Sequence, residues 1–162
     1  MNNLTNKLKL QKGQSGFTII EVLIVLAIAA LIILAVLLAV PALQNNQKDN
    51  ARKQEASRVA TGIATMLSDN NNKTLTAGSA SASGSTDAGQ LFARANIGGG
   101  QFKTVTIQAA GTAPANNTTV YVRIGYICDG NNPSKVTTGG YAVYYSTQTN
   151  ATNYGACITA QQ

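Results

Sequence analysis

The chain has 162 residues, enough for one domain and one membrane span, with 12 basic and 6 acidic side chains and a net charge of +6. Histidine is absent and cysteine occurs twice, which excludes a usual zinc site and any histidine-based catalysis. The acids that follow the apolar segment are Asp49, Glu55, Asp69, Asp87 and Asp129. None is paired at a useful spacing on one predicted face, so the sequence presents no catalytic set and implies no cofactor.

Residues 1–16 are polar and contain Lys7, Lys9 and Lys12 but no acid. Beyond them nine basic side chains face six acidic ones, a balance of +3, so half the apparent basicity belongs to this stretch. Such a segment holds its end of the chain in the cytoplasm by the positive-inside rule. A nucleic-acid footprint would need cations clustered on one face. Lys73, Arg94, Lys103, Arg123 and Lys135 are instead far apart. Incidental contact with DNA stays open, but nothing in the sequence signals it.

Next comes Gly16-Phe17-Thr18-Ile19-Ile20-Glu21, followed by 19 consecutive apolar residues, 22–40. That run matches the roughly 20 residues a helix needs to cross a bilayer. Glu21 is the anomaly, because a carboxylate within such a segment costs about 2.5–3.5 kcal/mol on insertion. No Lys or Arg lies between Phe17 and Gln47, so no partner for Glu21 is expected from this helix. Cutting the chain between Gly16 and Phe17 would create one: a new α-amine four residues before Glu21. In a bundle of such helices, the Glu21 of one copy could neutralise the Phe17 amine of another. A cleaved secretory signal fits poorly, since its apolar core spans roughly 7–15 residues. An uncleaved signal anchor fits the length and charge, but leaves Glu21 and the Gly-Phe junction unexplained.

The basic leader, Gly16-Phe17-Thr18-x-x-Glu21 and the long apolar helix together resemble type IV prepilins, a class that includes type II secretion pseudopilins and competence pilins. The resemblance covers about residues 7–43 and extends weakly to Leu67. It implies cleavage after Gly16 by a prepilin peptidase, N-methylation of Phe17, and a role for Glu21 in assembly. It further implies a structural subunit rather than an enzyme. Such a subunit is held in the membrane and then polymerised with its own kind into an extracellular fibre by an assembly machinery. Two features depart from the pattern. Family members typically have a proline three residues before Pro41, where Leu38 stands here, and many carry a glycine in the span, where residues 17–40 have none. The missing glycine argues against melting of the span upstream of Pro41.

Pro41 has no N–H and crowds the carbonyl of Leu37, so it predicts a kink in a helix that continues. Over residues 42–67 an apolar stripe runs through Ala56, Val59, Ala60, Ile63, Met66 and Leu67 at helical spacing. Lys48, Asp49, Arg52, Lys53, Glu55 and Arg58 lie mostly off that stripe. Residues 68–90 are rich in Asn, Ser, Thr, Ala and Gly and predict a long loop, or a linker between independent units. Residues 91–97 predict a short helix or an apolar plug.

The rest reads as strands. Val105 and Ile107 alternate with threonines, Val120 to Cys128 alternate strictly, and Tyr141, Val143 and Tyr145 do the same. Residues 154–158 predict a fourth strand or an extended tail. Turn-like segments fall at 111–117, 129–134 and 150–153. The expected fold is α+β: a long N-terminal helix, transmembrane in its first half, packed by its second half on a small antiparallel meander. The expected segments are a cleaved leader (1–16), a transmembrane assembly helix (17–40), its amphipathic continuation (41–67), and a loop plus sheet domain (68–162).

Cys128 and Cys157, an even pair beyond the span, suggest a disulfide in an oxidising compartment, the alternative being two buried thiols. Asp129-Gly130-Asn131-Asn132 offers oxygens compatible with calcium, but reads first as a β-turn. All six tyrosines lie between Tyr121 and Tyr154, and sheet packing accounts for them without a sugar-binding face. Asn-x-Thr triplets at Asn72, Asn116, Asn117 and Asn150 are expected from composition alone and so leave glycosylation open.

Overall fold

The computed structural model describes residues 16–71, 73–111, 114, 116–136, 139–148 and 155–160. The lysines of the predicted leader, the turn at 150–153, Tyr154, and the triplet asparagines Asn72 and Asn150 lie outside these residues. The chain divides into two compact units between Val40 and Pro41. Helix α1 (Ile19–Asp69) contains Pro41 within it.

In the first unit, among the described residues, the apolar side chains of α1 are exposed: an 18-residue window long and apolar enough to cross a membrane has no buried residue. Leu31 and Leu38, for example, are 68% and 74% exposed. No globular core organises this segment.

The second unit is built on the predicted stripe. Ala56, Val59, Ala60, Ile63, Met66 and Leu67 are all buried, and four of them have no more than 1% exposure along with Ala56. Fully burying each large member is worth roughly 1.5–3 kcal/mol. They join one cluster with Leu91, Phe102, Val105, Ile107, Val120, Val122, Tyr141, Val143 and Tyr145. The α+β class and the helix laid on a sheet are therefore as expected.

After α1 come β1 (Gly78–Ala80), α2 (Asp87–Arg94), β2 (Thr104–Gln108), β3 (Thr119–Ile124), β4 (Tyr126–Asp129), β5 (Asn132–Lys135), β6 (Tyr141–Tyr145) and β7 (Ala156–Ala160). The main sheet has the order β1-β2-β3-β6-β7, and β4-β5 form a separate ribbon. The loop predicted for 68–90 thus contains an edge strand and the start of α2. Thr86 caps α2 by accepting the Gly89 N–H, while Leu91, Phe92, Ala95 and Ile97 are buried, so the segment is both helix and plug.

Two details differ from a simple meander. β2 and β3 pair in parallel, with Val105 beside Val120 and Ile107 beside Val122, whereas the other pairings are antiparallel. Alternation specifies which side chains face the core but not the direction in which neighbouring strands run. The apolar row from Val120 to Cys128 is also broken. Gly125 has φ +78°, and β4 leaves the main sheet there to pair with β5. The corner is held by Gly125 N–H to Gly140 O at 2.8 Å and Val136 N–H to Gly125 O at 3.0 Å.

Arg123 donates to the Gly111 carbonyl, and the Ser146 hydroxyl donates to the Asn116 carbonyl at 2.8 Å. Arg123 also lies over the rings of Tyr126 and Tyr144, which explains how a cation can be buried in a small sheet.

Candidate functional site: the start of the apolar helix

The chain enters α1 through Gly16, Phe17 and Thr18. Gly16 has no neighbouring atom where a Cβ would stand, and Phe17 is 87% exposed, so the junction between them is sterically open. Thr18 is the N-cap: its carbonyl accepts the Val22 N–H at 3.3 Å.

Thr18 and Glu21 then cap each other. The Glu21 N–H donates to Thr18 Oγ1 at 3.3 Å, while Thr18 N–H and Oγ1–H both donate to Glu21 Oε2, at 3.0 and 2.9 Å. This is the capping-box arrangement, which satisfies two backbone donors at a helix start. The need is acute for a helix in lipid, where water cannot satisfy them. Glu21 therefore has a hydrogen-bonding partner in its own helix, although an uncharged one. The expectation of a carboxylate with no local partner is corrected to that extent. Thr-x-x-Glu before an apolar run was the available signal in the sequence.

The other predicted site residues lie elsewhere. Pro41 is inside α1 rather than at its end. Cys128 and Cys157 form a disulfide with Cα atoms 5.6 Å apart, joining the ribbon to β7. Asp129 and Asn132 face one another across the two-residue loop Gly130-Asn131, with φ +59° at Gly130, as a type II′ hairpin requires.

Arg52 and Glu55, two of the charged residues expected to lie mostly off the apolar stripe, are buried. Glu55 accepts the N–H groups of Gln101 and Phe102 at 2.7 and 2.9 Å. Arg52 donates to Asp49 Oδ1 at 3.0 Å. With the Gln148 amide oriented to satisfy its neighbours, its oxygen accepts from Arg52 Nη1 and Nη2 at 3.1 and 2.8 Å. The Gln148 N–H donates to Asp49 Oδ1 at 2.9 Å. Both residues continue the stripe's spacing toward the N-terminus, at Arg52, Glu55 and Ala56, and that periodicity was the missed signal.

The family model described as "Prokaryotic N-terminal methylation motif" matches residues 11–37. The chain carries the type IV prepilin signature. This signature supports membership of the type IV pilin and pseudopilin class, whose members are structural proteins that polymerise after processing by a prepilin peptidase. Signature and exposed apolar helix together support anchoring in a membrane before assembly. No curated protein and no solved structure matches the chain.

Proposed function

We propose that this chain is a pilin precursor, cut after Gly16, methylated at the Phe17 amine, and polymerised into an extracellular type IV pilus. The observation that carries the reading is the capped carboxylate at the head of an exposed apolar helix. Glu21 follows an open Gly-Phe junction by a few residues, and residues 22–40 have no core of their own to enter. Lipid covers that surface in the precursor, and the helices of other copies cover it in a fibre. The amine released at Phe17 would then lie within reach of a Glu21 carboxylate in the assembled core. The segments 17–40, 41–67 and 68–162 serve as assembly helix, scaffold helix and fibre surface. A minor pilin or pseudopilin would use the same parts in a shorter assembly.

Mass spectrometry of the mature subunit tests the reading. A chain beginning at N-methylated Phe17, together with sheared fibres containing it, is the expected result. An intact leader on the mature protein would identify an uncleaved membrane-anchored module instead. Gly16→Glu should block processing and leave full-length precursor in the membrane, because a side chain obstructs the close backbone approach that glycine allows.

A further inference from the structure

The six acids of the chain differ in one respect. Glu21 is bonded to Thr18, Asp49 to Arg52, Glu55 to Gln101 and Phe102, and Asp69 to Arg94; Asp87 accepts both the N–H and the hydroxyl of Thr76 at 2.7 Å. Asp129 has no side-chain partner among the described residues. It is exposed at the end of the β4–β5 ribbon, and its neighbour Cys128 fixes that ribbon to β7 through the disulfide. The result is a carboxylate on a short, covalently anchored knob.

A groove of about 330 Å³ between α1 and the end of α2 has the opposite character, with Ser57, Arg58, Thr61, Gly62, Thr65 and Arg94 lining it. Arg58 uses Nε on the Ala95 carbonyl at 3.1 Å, and Arg94 uses Nη1 on Asp69 at 2.8 Å. Their other N–H groups have no partner among the described residues. Two guanidinium groups on one concavity can receive a carboxylate through paired, geometrically defined hydrogen bonds. The exposed lysines are hydrated point charges on flexible stems and make weaker receivers.

Knob and groove belong to opposite ends of the sheet. α2 packs on β1 and β2, whereas β4 packs on β6 and β7. In the order β1-β2-β3-β6-β7, four strand spacings separate the edges, roughly 19 Å. Asp129 therefore does not meet the groove of its own chain. Two different patches at opposite edges make a heterologous contact, the type that repeats from copy to copy without closing.

We infer that Asp129 of one copy seats in the Arg58–Arg94 groove of a second copy and forms a repeating contact between pilin heads. The inference rests on the polymer reading above. Asp129→Arg places a cation against two others, so sheared fibres should fall by about tenfold or more, with the disulfide-bonded mature subunit still at normal level in the membrane. Adding Arg94→Asp should recover a substantial part of the loss. Removing Arg94 costs the subunit itself little, because its pair with Asp69 is largely exposed. Independently, fibres of the Arg94→Lys variant treated with a zero-length carbodiimide should yield a peptide pair linking position 94 of one copy to Asp129 of another, a product that Asp129→Asn abolishes. Normal fibres from Asp129→Arg, or no linked pair from Arg94→Lys fibres, would overturn this contact and leave the polymer reading standing. Mature parent subunit that accumulates without ever forming fibres would overturn both. If the Asp129→Arg subunit fails to accumulate, the cross-link decides.

Discussion

The Glu55 carboxylate accepts the Phe102 N–H at 2.9 Å, joining positions 47 residues apart in sequence. With the second bond to Gln101, one side chain of α1 fixes the Gly98–Phe102 approach to β2. Hydrogen bonds to a charged group are worth about 1.5–3 kcal/mol each, and deleting the acceptor strands two donors in the interior. Glu55→Ala should therefore lower unfolding stability by about 3–5 kcal/mol, measured by denaturant titration of the mature subunit in detergent. Gly100 supplies a sharper version of the test. A Cβ there would collide with Glu55 Oε1, which the two N–H groups hold in place. Gly100→Ala should be costly in the parent chain and much less so on the Glu55→Ala background. Additive costs would mean that Glu55 does not hold this loop.

The residues that describe the core were legible because burial follows period. The α1 stripe and the inward rows of β2, β3 and β6 are all where alternation or helical spacing puts them. The direction of β2 against β3 was not legible, since parallel and antiparallel pairing present the same inward row. Gly125 was visible as a glycine, but only its positive φ shows that the strand turns away there. Arg52 and Glu55 are buried although charged, because they continue the helical period of the stripe. Asp49, three residues before Arg52, is a local partner, whereas Gln148 and the two backbone N–H groups on Glu55 lie far away in sequence and carry no local signal. At the helix start the partners are local: Thr18 and Glu21 form a capping box whose Thr-x-x-Glu spacing is written in the sequence.

Cys128 and Cys157 are 29 residues apart in sequence. Closing a loop of that size in the unfolded chain corresponds to roughly 3–4 kcal/mol in the entropy model. β7 has Ala160 buried and Ala156 and Ile158 partly so, and besides its ladder with β6 it is held by the Cys128 N–H, which donates to Thr159 Oγ1 at 2.9 Å. Reduction should lower the unfolding midpoint and loosen β7 and the β4–β5 ribbon first, seen as faster amide exchange over those strands than over β2 and β3. Two reactive thiols in the unreduced, unfolded protein would show that the bridge does not form.

Tyr145 is 1% exposed, and its phenol is pushed up from 10.0 to about 12, first by burial, then by the Asp49 charge, with Arg52 opposing. A raised acid favours the folded state while the phenol is neutral, so this contribution is fully present below pH 10 and is lost as pH rises toward 12. At about 1.4 kcal/mol per pKa unit, the two-unit difference is worth roughly 2–3 kcal/mol. Tyr145→Phe should remove that part of the alkaline loss while leaving the contribution of other groups. Identical pH dependence in both proteins between pH 10 and 12 would exclude Tyr145 as its source.

Glu21 offers two explanations for its place in the apolar segment, and their magnitudes differ. As the partner of Thr18 it caps a helix, worth about 0.5–2 kcal/mol. As the counter-charge of a Phe17 ammonium in a fibre core it should matter more, since removing one member of a buried ion pair costs about 3–5 kcal/mol, incurred once per subunit. Glu21→Val also removes an insertion penalty, so the precursor should enter the membrane at least as well as the parent. Thr18→Val takes away the capping hydroxyl but keeps the carboxylate. If neutralisation dominates, Thr18→Val should still yield fibres, whereas Glu21→Val and Glu21→Gln should leave cleaved, disulfide-bonded subunit in the membrane and almost none in the sheared fraction. Electron microscopy of that fraction, beside a membrane blot for the mature subunit, separates the cases. Equal loss from the Thr18 and Glu21 variants would make capping the function of the pair. Abundant fibres from Glu21→Val would exclude pairing with the amine altogether.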